Sequence, residues 1–154
     1  MKNIIHSNPE VIQTIIDKCD VCFMGMVDAE GMPYVLPFNF GFDGTYLYFH
    51  SGQKGKKNEI LKNNNNVCVA FSTDHLLSKQ NENVACSYSM KFRSVLAYGA
   101  IEFVYDFDEK IKVLNQIMQK YSGRDFEYNA PAVNNIETFK LKITKIQAKE
   151  SGYL

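Results

Sequence analysis

MPYVLPFNFGFDGTYLYFH, residues 32–50, decides the fold. Apolar and aromatic side chains recur at every second position on both sides of Asp43-Gly44, the period of a strand rather than a helix. Asp-Gly between two such runs predicts a hairpin, because a two-residue primed turn asks for positive φ at both central positions. Upstream, VCFMGMV (21–27) has the same period and is joined by the turn DAEG (28–31), so three antiparallel strands in a meander are expected.

Working outward, Ser7 and Glu10 with Pro9 between them read as a capping box, opening a helix to about Lys18 with Val11, Ile12, Ile15 and Ile16 on one face. KKNEILKNN (56–64) reads as a short helix stopped by an asparagine tract at 63–66. VCVAFST (67–73) is a strand and DHLLSKQNEN (74–83) a polar loop. VACSYSM (84–90) and FRSVLAYGAIEFVYD (92–106) then form a hairpin-like pair, with Gly99 at a bulge or bend. Asp106 and Glu109 repeat the capping pattern before a helix whose face is Ile111, Leu114, Ile117, Met118 and Tyr121, ending at Ser122-Gly123. TFKLKITKI (138–146) alternates as a last strand. A doubly wound sheet needs a helix after nearly every strand, and most connections here are tight turns. The predicted architecture is mainly β: a six- to seven-stranded antiparallel barrel with peripheral helices, one domain over 1–154.

Bulk composition narrows the function classes. Apolar residues make up 45% and aromatics 13%, the balance of a folded chain with one core. Lys+Arg and Asp+Glu are both 17, so no global field draws the protein to nucleic acid or an anionic membrane, and any basic site is local. The N-terminal stretch lacks the apolar core of a signal peptide and no segment approaches a membrane span, which predicts a cytoplasmic protein with reduced cysteines. Cys19 and Cys22 have the spacing of a redox or zinc-knuckle pair, but Cys68 and Cys86 lie far apart without ligand spacing. No metal site is expected, and buried small hydrophobes are the reading.

The chemistry concentrates at YFHSGQKGKK (48–57). Gly52 and Gly55 let the backbone approach a ligand, the helix that follows presents unpaired amides, and Lys54, Lys56 and Lys57 add cationic donors. This suits a phosphate monoester. It is not a nucleotide-hydrolysing P-loop, because only two residues separate the glycines and Lys57 stands where a magnesium-binding hydroxyl would be. In VLPFNFGF (35–42), Pro37 lacks an amide hydrogen and is expected to break the ladder there, leaving backbone groups for a flat heteroaromatic ring whose phosphate tail reaches Lys56 and Lys57. FMN has that shape.

Residues 31–61, GMPYVLPFNFGFDGTYLYFHSGQKGKKNEIL, resemble the central motif of the pyridoxamine phosphate oxidase-like split-barrel flavoproteins, above all the nitroimidazole-resistance (Nim-type) branch. Pro37, Asn39, Phe40 and Gly41 match its P-x-N-[YF]-G strand, and His50, Gly55, Lys56, Lys57 and Leu61 its following turn; FRSVLAYGAIEF and EKIKVLNQIMQKY are similar to its downstream strand and helix. Ser51 stands where the family often has glycine, and Phe92 where tyrosine is frequent.

The resemblance implies an FMN-binding split barrel acting as a homodimer, with the flavin in a groove between subunits. Carried over by position, Pro37, Phe38, Asn39 and Phe40 lie along the ring chiefly through backbone, Lys56 and Lys57 hold the phosphate with Ser51 in the same turn, and Ser94 contributes near the ribityl or phosphate end, across the interface. His50 lines the substrate side, sharing a strand face with Tyr46 and Tyr48; it either donates a proton or hydrogen bond during reduction or caps a hydrogen-bond network. His6 and His75 receive no role. The implied function is an FMN-dependent oxidoreductase reducing a small acceptor such as a nitroaromatic or quinone. Electrons come from NAD(P)H, docked transiently because no Rossmann fingerprint is present, or from another donor. The alternatives are a non-enzymatic flavin-binding or electron-carrier module and a haem or deazaflavin ligand in the same barrel. Pyridoxamine phosphate oxidase activity itself is disfavoured, since the chain has no Trp and its tail, ITKIQAKESGYL, has no counterpart of that enzyme's substrate motif.

Overall fold

The computed structural model describes residues 1–153. Its strands are β1 (Asn3–His6), β2 (Cys22–Val27), β3 (Pro33–Phe38), β4 (Gly41–Phe42), β5 (Tyr46–Gly52), β6 (Asn66–Ser78), β7 (Ser89–Val104) and β8 (Ile136–Ser151). Its helices are α1 (Pro9–Asp17), α2 (Lys56–Asn63), α3 (Phe107–Ser122) and α4 (Ala130–Asn134), with one 3₁₀ turn at Ala85–Ser87. The mainly β antiparallel architecture is as expected, with eight strands instead of six or seven. They run β3-β2-β6-β7-β8-β5-β4, and β1 pairs with the end of β8.

This hydrogen-bonded path does not close. Its two ends meet through side chains: Phe38, at the end of β3, packs edge-on against Phe49 of β5 at 5.5 Å and Phe139 of β8 at 5.9 Å between ring centroids. The sheet is therefore rolled into a barrel that is split where its last contact is aromatic packing instead of a ladder. Strand alternation sends Met24, Met26, Leu47, Phe49, Val69, Phe71, Leu141 and Phe139 inward, and α1 and α2 add Ile12, Ile15, Ile16, Ile60 and Leu61 to the same core. α3 packs on the outer side of β4, β5 and β8. Gly41 permits that approach, since a Cβ there would lie 2.5 Å from the Gln116 carbonyl oxygen.

Several local readings are corrected. The helix α1 is capped by Asn8, whose side chain accepts from the Glu10 amide, while the Ser7 hydroxyl donates to the Ile146 carbonyl instead. The β4–β5 turn is centred one residue later than expected: Gly44 carries the positive φ of 93° and Thr45 is the second central residue, because the Asp43 carboxylate accepts from the Thr45 and Tyr46 amides. Residues 74–78, read as loop, continue β6 beyond a bulge at Asp74 (φ 56°), and VACSY forms the 3₁₀ turn and its flank, not a strand. The bulge expected at Gly99 is present as a register shift against β8, and a Cβ there would collide with the Lys142 carbonyl. α3 begins at an Asp106 cap and ends at Gly123 in the left-handed region, as its sequence says. Among the described residues no helix is long and apolar enough to cross a membrane.

Candidate functional site

Strand β5 ends at Gly52 and α2 begins at Lys56, so residues 53–55 form the turn between them. α2 is the only helix of the four whose start has no helix-capping side chain; its N-cap is Gly55, at φ 130°, which glycine alone adopts without strain. No protein acceptor is found among the described residues for the backbone N–H groups of Gln53, Lys54 or Gly55. The expected cations gather here. The Lys57 Nζ lies 3.7 Å from where a Cβ on Gly55 would be, and the Lys56 Nζ sits 4.9 Å from the Tyr34 ring on β3. The corner and the β3 ribbon are thus neighbours. A cleft of about 230 Å³ beside α2 also reaches Lys56, but Asp28, Glu30 and Glu59 line it, which makes it unsuited to an anion.

The turn is braced from two sides. The Ser51 hydroxyl donates to the Gly52 carbonyl at 3.0 Å, and Asn58 Nδ2, from the first turn of α2, donates to the same oxygen at 2.9 Å. Asn58 is buried, and its Oδ1 has no partner. Sequence reasoning passed over Asn58, since an asparagine in a polar helix resembles a solvated residue until its neighbours are known.

The ladder breaks two residues later than Pro37. Pro37 stays in register opposite Phe23, and β3 pairs with β2 as far as Phe38, whereas Gly41 already pairs with Tyr48 of β5. Asn39 and Phe40 belong to neither ladder and carry the chain across the split from one sheet end to the other. The Phe38 and Phe40 side chains point into the core, the latter edge-on to Phe71 at 5.1 Å, so both can offer only backbone. Phe40's amide is taken: it donates to the Tyr121 Oη at 3.2 Å, and that hydroxyl donates to the Asp20 carbonyl at 2.7 Å. Asn39 is exposed and its side chain makes no hydrogen bond to the described residues. Tyr121, expected only as part of an apolar helix face, is therefore a support of the split.

His50 shares the outer face of β5 with Tyr46 and Tyr48, opposite Thr138 of β8. It is open to solvent on one side, yet the protein around it desolvates the imidazole enough to hold its pKa below the usual histidine value. Tyr48 donates to the Asp43 carboxylate; burial and then that bond push its phenol well up.

Ser94 is not at this corner. It lies on β7 opposite Lys149 of β8, whereas Ser51 lies opposite Glu137, so the two are twelve residues apart along β8 (149 − 137), roughly 40 Å of strand at about 3.3 Å per residue. Its surroundings are different too. Rows of facing residues cover the outer side of β3, β2, β6 and β7: Pro37, Phe23, Ala70 and Leu96 in one, Val35, Gly25, Cys68 and Tyr98 in the next. Phe23 is 51% and Val35 58% exposed, far more than isolated surface apolar residues require. Ser94 and Pro37 border this apolar face.

The cysteines make no cluster. All four are free, Cys19 and Cys22 are buried, and burial pushes the Cys22 thiol up to about 12. Among the described residues no group of three or more potential ligands could hold a metal ion.

The molecule is thus a split, rolled antiparallel barrel with a cation-flanked turn at its edge. The pyridoxamine 5'-phosphate oxidase family model matches residues 8–150, and the chain belongs to that family. Among solved structures it is similar to a candidate 5-nitroimidazole antibiotic resistance protein from Bacteroides thetaiotaomicron, with 41% identity and a TM-score of 0.85 over 96% of this chain and 87% of that one. Its fold is also that of a flavocytochrome from Azotobacter vinelandii (21% identity, TM-score 0.80, 97% and 70% covered). An FAD- and haem-binding protein from Mycobacterium smegmatis has the same fold (17%, 0.83, 97% and 74%). A comparison with curated proteins finds no match.

Proposed function

We propose that this protein binds FMN in the split between β3 and β5 and works, as a homodimer, as an FMN-dependent oxidoreductase that reduces a small acceptor such as a nitroaromatic or a quinone. The observation that carries the reading is the start of α2, where free amides, two lysines and a glycine N-cap meet without any acidic cap. Such a start favours an anion through its amides and the helix dipole together. Family membership and the flavin-binding proteins that share the fold support the same ligand class, and the 41% identical relative supports a nitroaromatic acceptor.

In this reading Lys56 and Lys57 hold the phosphate, with the Gln53–Gly55 amides as further donors. Asn39 faces the ring, while Phe38 and Phe40 contribute chiefly their position, since the Cys22 thiol already donates to the Phe38 carbonyl and Tyr121 already occupies the Phe40 amide. Bound flavin supplies the capacity to take up two electrons and to release them singly or in pairs. His50 is held neutral at neutral pH, so its part is to offer an N–H to the acceptor and stay uncharged in the free enzyme. The apolar outer face supports the homodimer, and in this reading Ser94, twelve positions along β8 from its own chain's corner, serves a flavin held by the other copy.

The test is direct. Purified protein incubated with FMN and desalted should retain a flavin absorption spectrum, and it should oxidise NADPH faster when a nitroaromatic is added. Loss of all flavin on desalting, or a haem band in its place, contradicts the cofactor; retained flavin without turnover leaves a carrier, not an enzyme.

A further inference from the structure

Asn58 is hard to account for as a purely structural residue. It is 3% exposed, and its amide oxygen is buried with no hydrogen-bond partner. Proteins rarely leave such an acceptor unpaired, and a leucine of the same size would avoid the desolvation loss. Its Nδ2 does something a leucine cannot, donating across the turn to the Gly52 carbonyl. That carbonyl is not short of partners, for the Ser51 hydroxyl donates to it as well. The second bond therefore fixes direction more than it satisfies the oxygen: it ties the last residue of β5 to the first turn of α2 and holds the Gln53–Gly55 amides, which have no protein acceptor, outside the helix. The orphan oxygen belongs to a residue of that first turn, and the turn immediately before it carries amides without acceptors.

We propose that Asn58 is a positioning residue for the phosphate turn. Its donor holds the turn open toward Lys56 and Lys57, and its free oxygen takes up one of the turn's N–H groups when a phosphate monoester draws the turn in. This rests on the reading that the start of α2 holds the flavin's phosphate.

The test compares FMN with riboflavin, which has the same ring and ribityl chain but no phosphate. Affinities are measured by quenching of flavin fluorescence on the parent protein and on Asn58→Leu. The parent should prefer FMN by more than about 10-fold, as charge-assisted contacts to phosphate imply. Asn58→Leu should lose about 10-fold in FMN affinity and leave riboflavin within about twofold, with a thermal midpoint close to the parent's because Ser51 still satisfies Gly52 and the unpaired oxygen is gone. A residue that merely supported the fold would weaken both ligands alike. A parent that binds the two flavins equally overturns the phosphate reading and this proposal with it; a parent that prefers FMN, with an Asn58→Leu variant that keeps the whole preference, overturns the role of Asn58 alone. Should the variant not fold, the Asn58 side-chain NH₂ resonances of the parent decide: FMN should shift them and riboflavin should not, and unmoved resonances on saturation with FMN refute the proposal.

Discussion

Helices α2 and α3 follow strands on the same barrel and begin in opposite ways. α3 has an aspartate cap accepting from the Glu109 amide, and two more acids, Asp108 and Glu109, in its first turn. α2 has a glycine in place of the cap, two lysines as its first residues, one acid, Glu59, at the end of its first turn, and an unpaired asparagine oxygen within it. One start is complete in itself. The other leaves donors and positive charge unmatched within the chain, and that difference is what the proposed anion site rests on.

The comparison can be broken most severely by removing the second copy. Phe23→Lys with Val35→Lys puts like charges on the exposed apolar face of β2 and β3, and an isologous interface uses that patch on both copies, so the charges of both would be buried together. The expected result is a monomer by light scattering with FMN affinity lower by about 100-fold, as burial of unpaired charge at an interface implies; an intact dimer would show that this face is not the interface. Next in size, Lys56→Ala with Lys57→Ala should weaken FMN by more than about 10-fold through lost charge-assisted bonds. The matched change at α3, Lys112→Ala, should leave FMN binding alone. Equal effects at both helices would erase the contrast.

Asp106→Ala sharpens it from the other side. It should lower unfolding stability by about 1 kcal/mol, the usual worth of a cap, without touching FMN affinity. The smallest effect concerns pH. Because desolvation depresses the folded-state pKa of His50, the unfolded chain binds the extra proton first as pH falls below the ordinary histidine range. Its contribution to stability is present above that range and lost as pH falls through the folded value. His50→Gln should therefore melt with a shallower pH dependence between neutral and acid than the parent, and parallel curves would mean that His50 is not desolvated.

Much of this was legible in the chain. Asp106, Gly123 and Gly99 declare their roles locally, because a cap, a left-handed stop and a close backbone approach each require a particular residue type. The P-x-N-[YF]-G and GKK segments located the corner and the split. What could not be read came from contacts distant in sequence. β1 is four residues long and exists only because the end of β8 offers it an edge. The continuation of β6 past Asp74 depends on Lys18 and Arg93 binding that carboxylate at 3.0 and 2.8 Å, ion pairs from two other elements. Pro37 looked like the break, but β3 is the end strand of the sheet, where a proline is tolerated, and the crossing at Asn39 and Phe40 is held by Tyr121, far along the chain. Asn58 was invisible for the same reason: its meaning lies in which atoms near it lack partners.

The claim on which the rest depends is that the start of α2 is an anion site. Crystals of this protein grown with FMN test it most directly. The account predicts the flavin's phosphate within hydrogen-bond reach of the Gln53–Gly55 amides and of Lys56 and Lys57, with Ser94 of the other copy nearby. FMN bound with its phosphate elsewhere, and the turn after Gly52 closed by protein side chains, would contradict it.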